Sequence, residues 1–188
     1  MFWLILGVLL WSLVHLFPAV MADKRNELNS SLGNKYQGGF ALLIVLSLIL
    51  IIAGWRSAVP EQIYNPPAIG RHVNMLFMLL AVILFGASHG KSRIKQYVRH
   101  PMLTGVHLWA LGHLLANGDS RSVVLFGGML IWSAVSIVLI NKRDGEWQKP
   151  AETANMAGEI KLVGISVVVY IVLVFLHPYF AGMPVVAH

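Results

Sequence analysis

Three histidines, His15, His107 and His113, stand inside long apolar runs where an imidazole has no water to bond. His72 and His89 bound a further run, His100 opens another, His177 lies near the end of the last, and His188 is a terminal residue without an evident task. A polar side chain at membrane depth costs free energy, so each of these asks for a partner. For His72 and His89 an interfacial headgroup or carbonyl is the ordinary answer. Several imidazoles in one small bundle point further. Neutral imidazole is the commonest protein ligand for metals, and haem iron in helical bundles is held by histidines from facing helices. No Asp or Glu falls in a predicted span, which argues against a carboxylate-bridged centre. With no cysteine, the chain has no disulfide, iron–sulfur cluster or thiolate site. A porphyrin is the cofactor that needs only two imidazoles and apolar walls.

Composition dictates the elements that must carry these residues. Of 188 residues, 57% are hydrophobic and 12% charged, with a mean hydropathy of +0.70, whereas a soluble domain is about a quarter charged. A soluble enzyme, a disordered regulator and a nucleic-acid module are excluded. The net charge of +6 comes from cations in short gaps between apolar runs. Six stretches, 1–22, 38–55, 69–89, 101–117, 123–141 and 160–180, approach the roughly 17–25 residues that a spanning helix needs. Runs this continuous are not alternating barrel strands. The expected fold is all-α, one polytopic membrane bundle of six helices over residues 1–188. Val20-Met21-Ala22 before Asp23 resembles a signal-peptide cleavage site, but the run is long and lacks a basic start, which favours a retained helix. Eleven Lys and Arg fall in the first, third and fifth gaps or at their edges (Lys161 included) and three in the others or at their edges (Arg71 included), predicting cytoplasmic odd gaps and both termini outside. The proline-rich segment 60–67 reads as a plain connector, with a lid as the alternative.

The fourth run has two faces. Gly105, Trp109, Gly112, His113 and Ala116 share one stripe, and His100, Thr104, His107 and Leu111 another nearly opposite. The first stripe suits the approach of a flat ligand where glycine has no side chain, and equally suits helix packing through small residues. On the first run His15 follows Trp11 by one turn and precedes Pro18, which frees the carbonyl of Val14. Depth alone leaves both His107 and His113 open as its counterpart.

The run Arg99-His100-Pro101-Met-Leu-Thr-Gly105, continuing through Leu108-Trp109-Ala-Leu-Gly112-His113 to Asn117-Gly118-Asp119, resembles the NnrU family. Leu13-Val-His15 and Leu176-His177-Pro178 extend the resemblance over most of the chain. These are bacterial inner-membrane proteins named for a link to nitrite and nitric oxide reduction, related to the plant 15-cis-zeta-carotene isomerase. The resemblance implies a haem b protein. In the isomerase one histidine of the first helix and the second histidine of the fourth-helix motif hold the iron, and these match His15 and His113. It also implies a functional His100 near the site, touching a propionate or substrate, with Arg99 placed to clamp a carboxylate or to anchor the chain at the membrane edge. The second and fifth helices carry no histidine, where the isomerase has additional ones.

Two chemistries follow from a haem with one labile imidazole: redox-gated isomerisation of a polyene or lipid double bond, or nitric oxide sensing and electron transfer without turnover. Arg99-His100-Pro101 followed by Gly105 is also similar to the motif by which isoprenylcysteine and phospholipid methyltransferases help bind S-adenosylmethionine. Here Leu103 replaces that motif's Tyr, and Asp144 and Glu146 stand at a different spacing from its downstream Glu pair. A histidine-lined transporter without haem is a further class, disfavoured by the lack of a paired carboxylate. The partners expected are the bilayer and a hydrophobic polyene or nitric oxide; no redox partner is legible.

Overall fold

A computed structural model describes residues 1–183 and 185, all-helical among these; His188 lies outside the described residues. Seven helices follow in order: α1 Phe2–Val20, α2 Ala22–Leu32, α3 Asn34–Ser57, α4 Gly70–His89, α5 Pro101–Ala116, α6 Ser120–Asp144 and α7 Met156–Ala181. A short 3-10 turn, Arg93–Gln96, precedes α5. Helices α1, α3, α4, α6 and α7 are long and apolar enough to cross a membrane. Their outward faces expose Leu13, Leu42, Ile131, Val138, Ile160 and Phe175, a surface that matches lipid and not water. The chain is a membrane protein. Of the six runs expected to span, the fourth is the exception. Helix α5 has 16 residues, roughly 24 Å at helical rise, less than a hydrocarbon core of about 30 Å.

The helix ends obey local chemistry. Pro101 sits in the first turn of α5, where its missing N–H is not needed. The Asp119 carboxylate caps α6 by accepting from the N–H groups of Arg121 and Ser122 (3.0 and 3.1 Å) and from the Ser122 hydroxyl (2.6 Å). Asn155 caps α7, accepting from Gly158 N–H at 2.9 Å. The first gap, expected as a simple connection, is instead largely the polar helix α2, which buries no residue and carries a Lys24–Glu27 pair at 2.9 Å. Gly33, at φ +51°, breaks the chain between α2 and α3.

The helices pack as an arc in the order α3, α1, α6, α5, α4, α7. Its core is Ala110, Phe126, Met129 and Trp132, with Trp11, Trp55, Leu103 and Trp109 against it. Backbones come close where glycine allows. A Cβ at Gly54 would lie 2.2 Å from the Leu4 nitrogen, and one at Gly70 would lie 1.8 Å from the Leu115 oxygen.

The segment between α3 and α4 is more than a connector. The N–H groups of Ile63 and Tyr64 donate to the Gly118 carbonyl (2.8 and 3.1 Å), and Ser120 N–H donates to the Glu61 carbonyl (2.8 Å). Gln62 forms an isolated antiparallel bridge with Asp119. The Tyr64 hydroxyl reaches the carbonyls of Leu114 and, at 2.9 Å, Asn117. This strap therefore grips the α5–α6 turn.

Gly54→Ala places its new methyl against the α1 backbone, which has no flexible side chain to yield. We expect a loss of about 1–3 kcal/mol, as for other overpacked contacts, read as a lowered thermal midpoint in detergent. The same change at Gly127, which has open space around it, should leave the midpoint unmoved.

Candidate functional site

A cavity of about 510 Å³ lies within the arc, and both of its end helices, α3 and α7, contribute walls. The walls are mostly apolar: Ile51, Ile52 and Trp55 from α3, Met75, Met78, Val82 and Phe85 from α4, Leu125 and Phe126 from α6, and Leu173 and Val174 from α7. The polar lining is sparse and includes Arg56, Asn74, His113, Asn117, Ser122, Tyr170 and His177. Such a volume, with few polar groups among apolar walls, is ordinary for a small-molecule or cofactor site.

His113 is the buried imidazole of this cavity. Its Nδ1–H donates to the Trp109 carbonyl at 2.8 Å, which leaves the Nε2 lone pair free. The ring lies on Phe126, centres 4.3 Å apart and planes 21° apart, with Trp109 at 5.4 Å. Asn117 donates from Nδ2 to the His113 carbonyl at 3.0 Å. Facing His113 is His177 of α7, ring centres 6.5 Å apart and planes 23° apart. The His177 Nδ1–H donates to the Met183 carbonyl at 2.7 Å.

The other expected site residues are dispersed. His15 is not among the residues lining the cavity. Its Nδ1–H donates to the Trp11 carbonyl at 2.9 Å, and its ring packs on Trp11, Trp132 and Phe40 at 4.1, 5.3 and 5.9 Å. The indole N–H groups of Trp11 and Trp132 in this seam, and the Ser136 hydroxyl one turn further along α6, are buried without hydrogen-bond partners among the described residues. His107 donates from Nδ1 to the Ser133 hydroxyl at 3.1 Å, while that hydroxyl donates to the Leu130 carbonyl. His100 donates from Nε2 to Asn141 Oδ1 at 2.9 Å, and Arg99 Nη1 donates to the Gly145 carbonyl at 2.8 Å. Both line a separate cleft at the opposite end of α5, with Lys95, Asp144, Glu146 and Trp147. Hence Arg99 and His100 stand away from the His113 cavity.

Of the glycine stripe, Trp109 reaches the cavity. Gly105 and Gly112 do not give a ligand access to the backbone, because α4 occupies the space. Phe85 lies 2.6 Å from a Cβ built at Gly105, and Asn74 Oδ1 lies 2.5 Å from one at Gly112. Their role is close helix packing. The sequence pattern assigns no role here to His177, Asn74 or Arg56. Asn74 Oδ1 is buried in the cavity wall without a partner, and its place in an apolar run was the available signal.

Among the described residues no three His, Asp or Glu side chains converge on one point. Two imidazoles suffice for a porphyrin, and the donor set fits one here. His113 presents a buried ring with its Nδ1–H fixed by a carbonyl, the walls are apolar, and Arg56 supplies a cation for a carboxylate. The family model described as NnrU protein matches residues 3–185. This chain belongs to the NnrU family. Comparison with curated proteins and with solved structures finds no match. In this NnrU-family chain the strap and the α5–α6 turn together hold the end of α5 that carries His113.

Burial, and behind it the negative charge of Asp119, raises the Tyr64 phenol above its ordinary value. Folding thus favours the neutral hydroxyl. The stabilisation is complete below the unfolded value of about 10 and is lost as pH rises through the higher folded value. Wild type should lose thermal stability above pH about 10. Tyr64→Phe should lack this alkaline decline and lie about 0.5–1.5 kcal/mol lower at neutral pH, for the missing hydrogen bond. A set of melting curves from pH 7 to about 11 checks both.

Proposed function

We propose that the chain is a haem b protein of a bacterial inner membrane, linked to nitrite and nitric oxide reduction. In this reading six helices cross the bilayer, α5 included, with both termini outside. The Lys and Arg imbalance between the gaps supports the orientation. The observation that carries the haem reading is His113, a buried imidazole with its Nδ1–H committed to a carbonyl, on the wall of an apolar cavity of porphyrin-compatible size.

The chain's own residues have definite tasks. His113 binds through Nε2. Phe126 and Trp109 fix its ring and exclude water. Arg56 offers a cation to a propionate, in place of the Arg99 expected from its position at the membrane edge. Two imidazoles are candidates for the other side of the iron: His15, which the family pattern names, and His177, which shares the cavity. When bound, haem supplies a redox-active iron whose axial position can be opened to a diatomic gas or to a polyene double bond. Turnover of a cis polyene by the reduced protein marks an isomerase. Rapid nitric oxide binding without turnover marks a sensor or an electron carrier.

A second reading draws on the cleft of about 660 Å³ at the other end of α5. Arg99 and Lys95 could face a carboxylate there, Asp144 and Glu146 an ammonium, and Trp147 an aromatic base. That is the recognition chemistry of S-adenosylmethionine, and with it methyl transfer.

The deciding measurement is the absorption spectrum of the purified protein, oxidised and then reduced with dithionite. The expected result is sharp α and β bands in wild type that collapse in His113→Ala. A protein that stays colourless when expressed with added haem overturns the haem reading. In that event calorimetric binding of S-adenosylmethionine, lost in Arg99→Ala, would favour methyl transfer.

A further inference from the structure

The wall of the His113 cavity is incomplete on one side. Each helix of the arc packs on the next, from α3 through α1, α6, α5 and α4 to α7, but the two end helices do not form a packed pair. Ile52 of α3 and Leu173 of α7 line the cavity and are nevertheless 54% and 37% exposed, so the space is open between them. Ile52 lies five residues before the end of α3 and Leu173 eight before the end of α7, depths of roughly 8 and 12 Å at helical rise. In a membrane, acyl chain and not water stands outside an opening at that depth.

The rim of the gap has a different chemistry. One turn beyond Ile52 and Leu173, on the same helix faces, Arg56 and His177 also line the cavity. The other polar lining lies at this end too: Asn117 caps the end of α5 and Ser122 stands in the first turn of α6. The Asn74 amide oxygen, near the start of α4, is buried there without a partner among the described residues. Further along α4 the lining turns apolar with Val82 and Phe85. The cavity is therefore amphipathic along the membrane normal. A lipid-dissolved molecule bearing a carboxylate has the same polarity, since an unpaired charge costs far more to bury than hydrocarbon and stays at the interface.

We propose that the gap between α3 and α7 is a lateral portal through which the cavity takes its occupant from the bilayer, an apolar molecule with a carboxylate that Arg56 receives. The proposal rests on the reading of this cavity as the haem site; haem and a fatty acid share the chemistry it names. Entry needs no passage through water. The carboxylate travels along the interface to Arg56 while the apolar body passes between Ile52 and Leu173.

The test exploits the natural absence of cysteine. Met78→Cys places one thiol on the cavity wall of the full-length protein, expressed without added haem and reconstituted in phosphatidylcholine vesicles. Pyrene maleimide, which dissolves in the bilayer, should label this thiol, and a charged methanethiosulfonate should not. Ile52→Trp combined with Leu173→Trp should slow the labelling about tenfold or more by filling the gap with two large rings. Ile131→Trp, on an outward face of α6, should leave the rate unchanged. Undiminished labelling in the double variant, faster labelling by the charged reagent, or a thiol that neither reagent reaches overturns the portal. Haem or palmitate added to the vesicles should protect the thiol, and Arg56→Gln should raise the protecting concentration about fivefold or more. Protection by haem alone identifies the occupant as the porphyrin, and protection by palmitate alone as a fatty acid. Protection by neither overturns the carboxylate assignment. A colourless protein removes the haem reading, while the labelling and palmitate arms still decide the portal.

Discussion

An imidazole in an apolar helix has to place one N–H on an acceptor, and in this protein three of them use the carbonyl one turn earlier. His15 donates to Trp11, His89 to Phe85 and His113 to Trp109, at 2.9, 2.8 and 2.8 Å. The residue supplying the carbonyl is aromatic each time. For the half-buried His15 and the buried His113 this bond settles the cost of burial, and for all three it places the Nδ1 proton. It also folds the ring back over its own helix, so the direction of the free nitrogen follows from the helix position. His107 of α5 and the N-capping His100 solve the same problem across a helix boundary. His100 and His107 donate to Asn141 and Ser133 of α6, and in doing so tie the two helices together along their length.

The other recurring device is contact between backbones through glycine. Gly54 meets Leu4, Gly70 meets Leu115, and Gly118 lies against the Tyr64 carbonyl. Without a hydrophobic force between helices in lipid, such close approach supplies the dispersion contacts that hold a bundle. The two glycines of α5 make room for side chains instead, since Phe85 and Asn74 fill the space above them. Helix α5 is thus seated by α4 on one side and α6 on the other, and Trp109, His113 and the C-capping Asn117 reach the cavity.

The apolar runs made the bundle legible, and most helix centres fall where those runs lie. Their ends do not, because Asn34–Ser57 starts in polar sequence and Ser120–Asp144 finishes in it; apolarity marks the part suited to lipid, not the part that is helical. The α2 helix escaped notice for the same reason, having no apolar face to read. His113 was legible as a ligand candidate because it is a polar group in an apolar run. Its neighbour His177 was not, since nothing in one strand of sequence tells that the end of α7 meets the end of α5. The glycine stripe was visible as a pattern, but only the position of Phe85 decides what it accommodates. The strap is a set of pairings between residues fifty or more positions apart, with no local signature.

That strap also fixes a parity. It follows α3 and touches Gly118 and Ser120 just beyond α5, so the chain leaves and returns to one side of the protein while passing through only α4 and α5. If α4 crosses the bilayer, α5 has to carry the chain back, however short it is. A helix of 16 residues can do so where protein shields its ends from lipid, and here the strap covers one of them. The membrane beside α5 would then be locally thin, or met by protein in place of acyl chain, at the helix that carries His113.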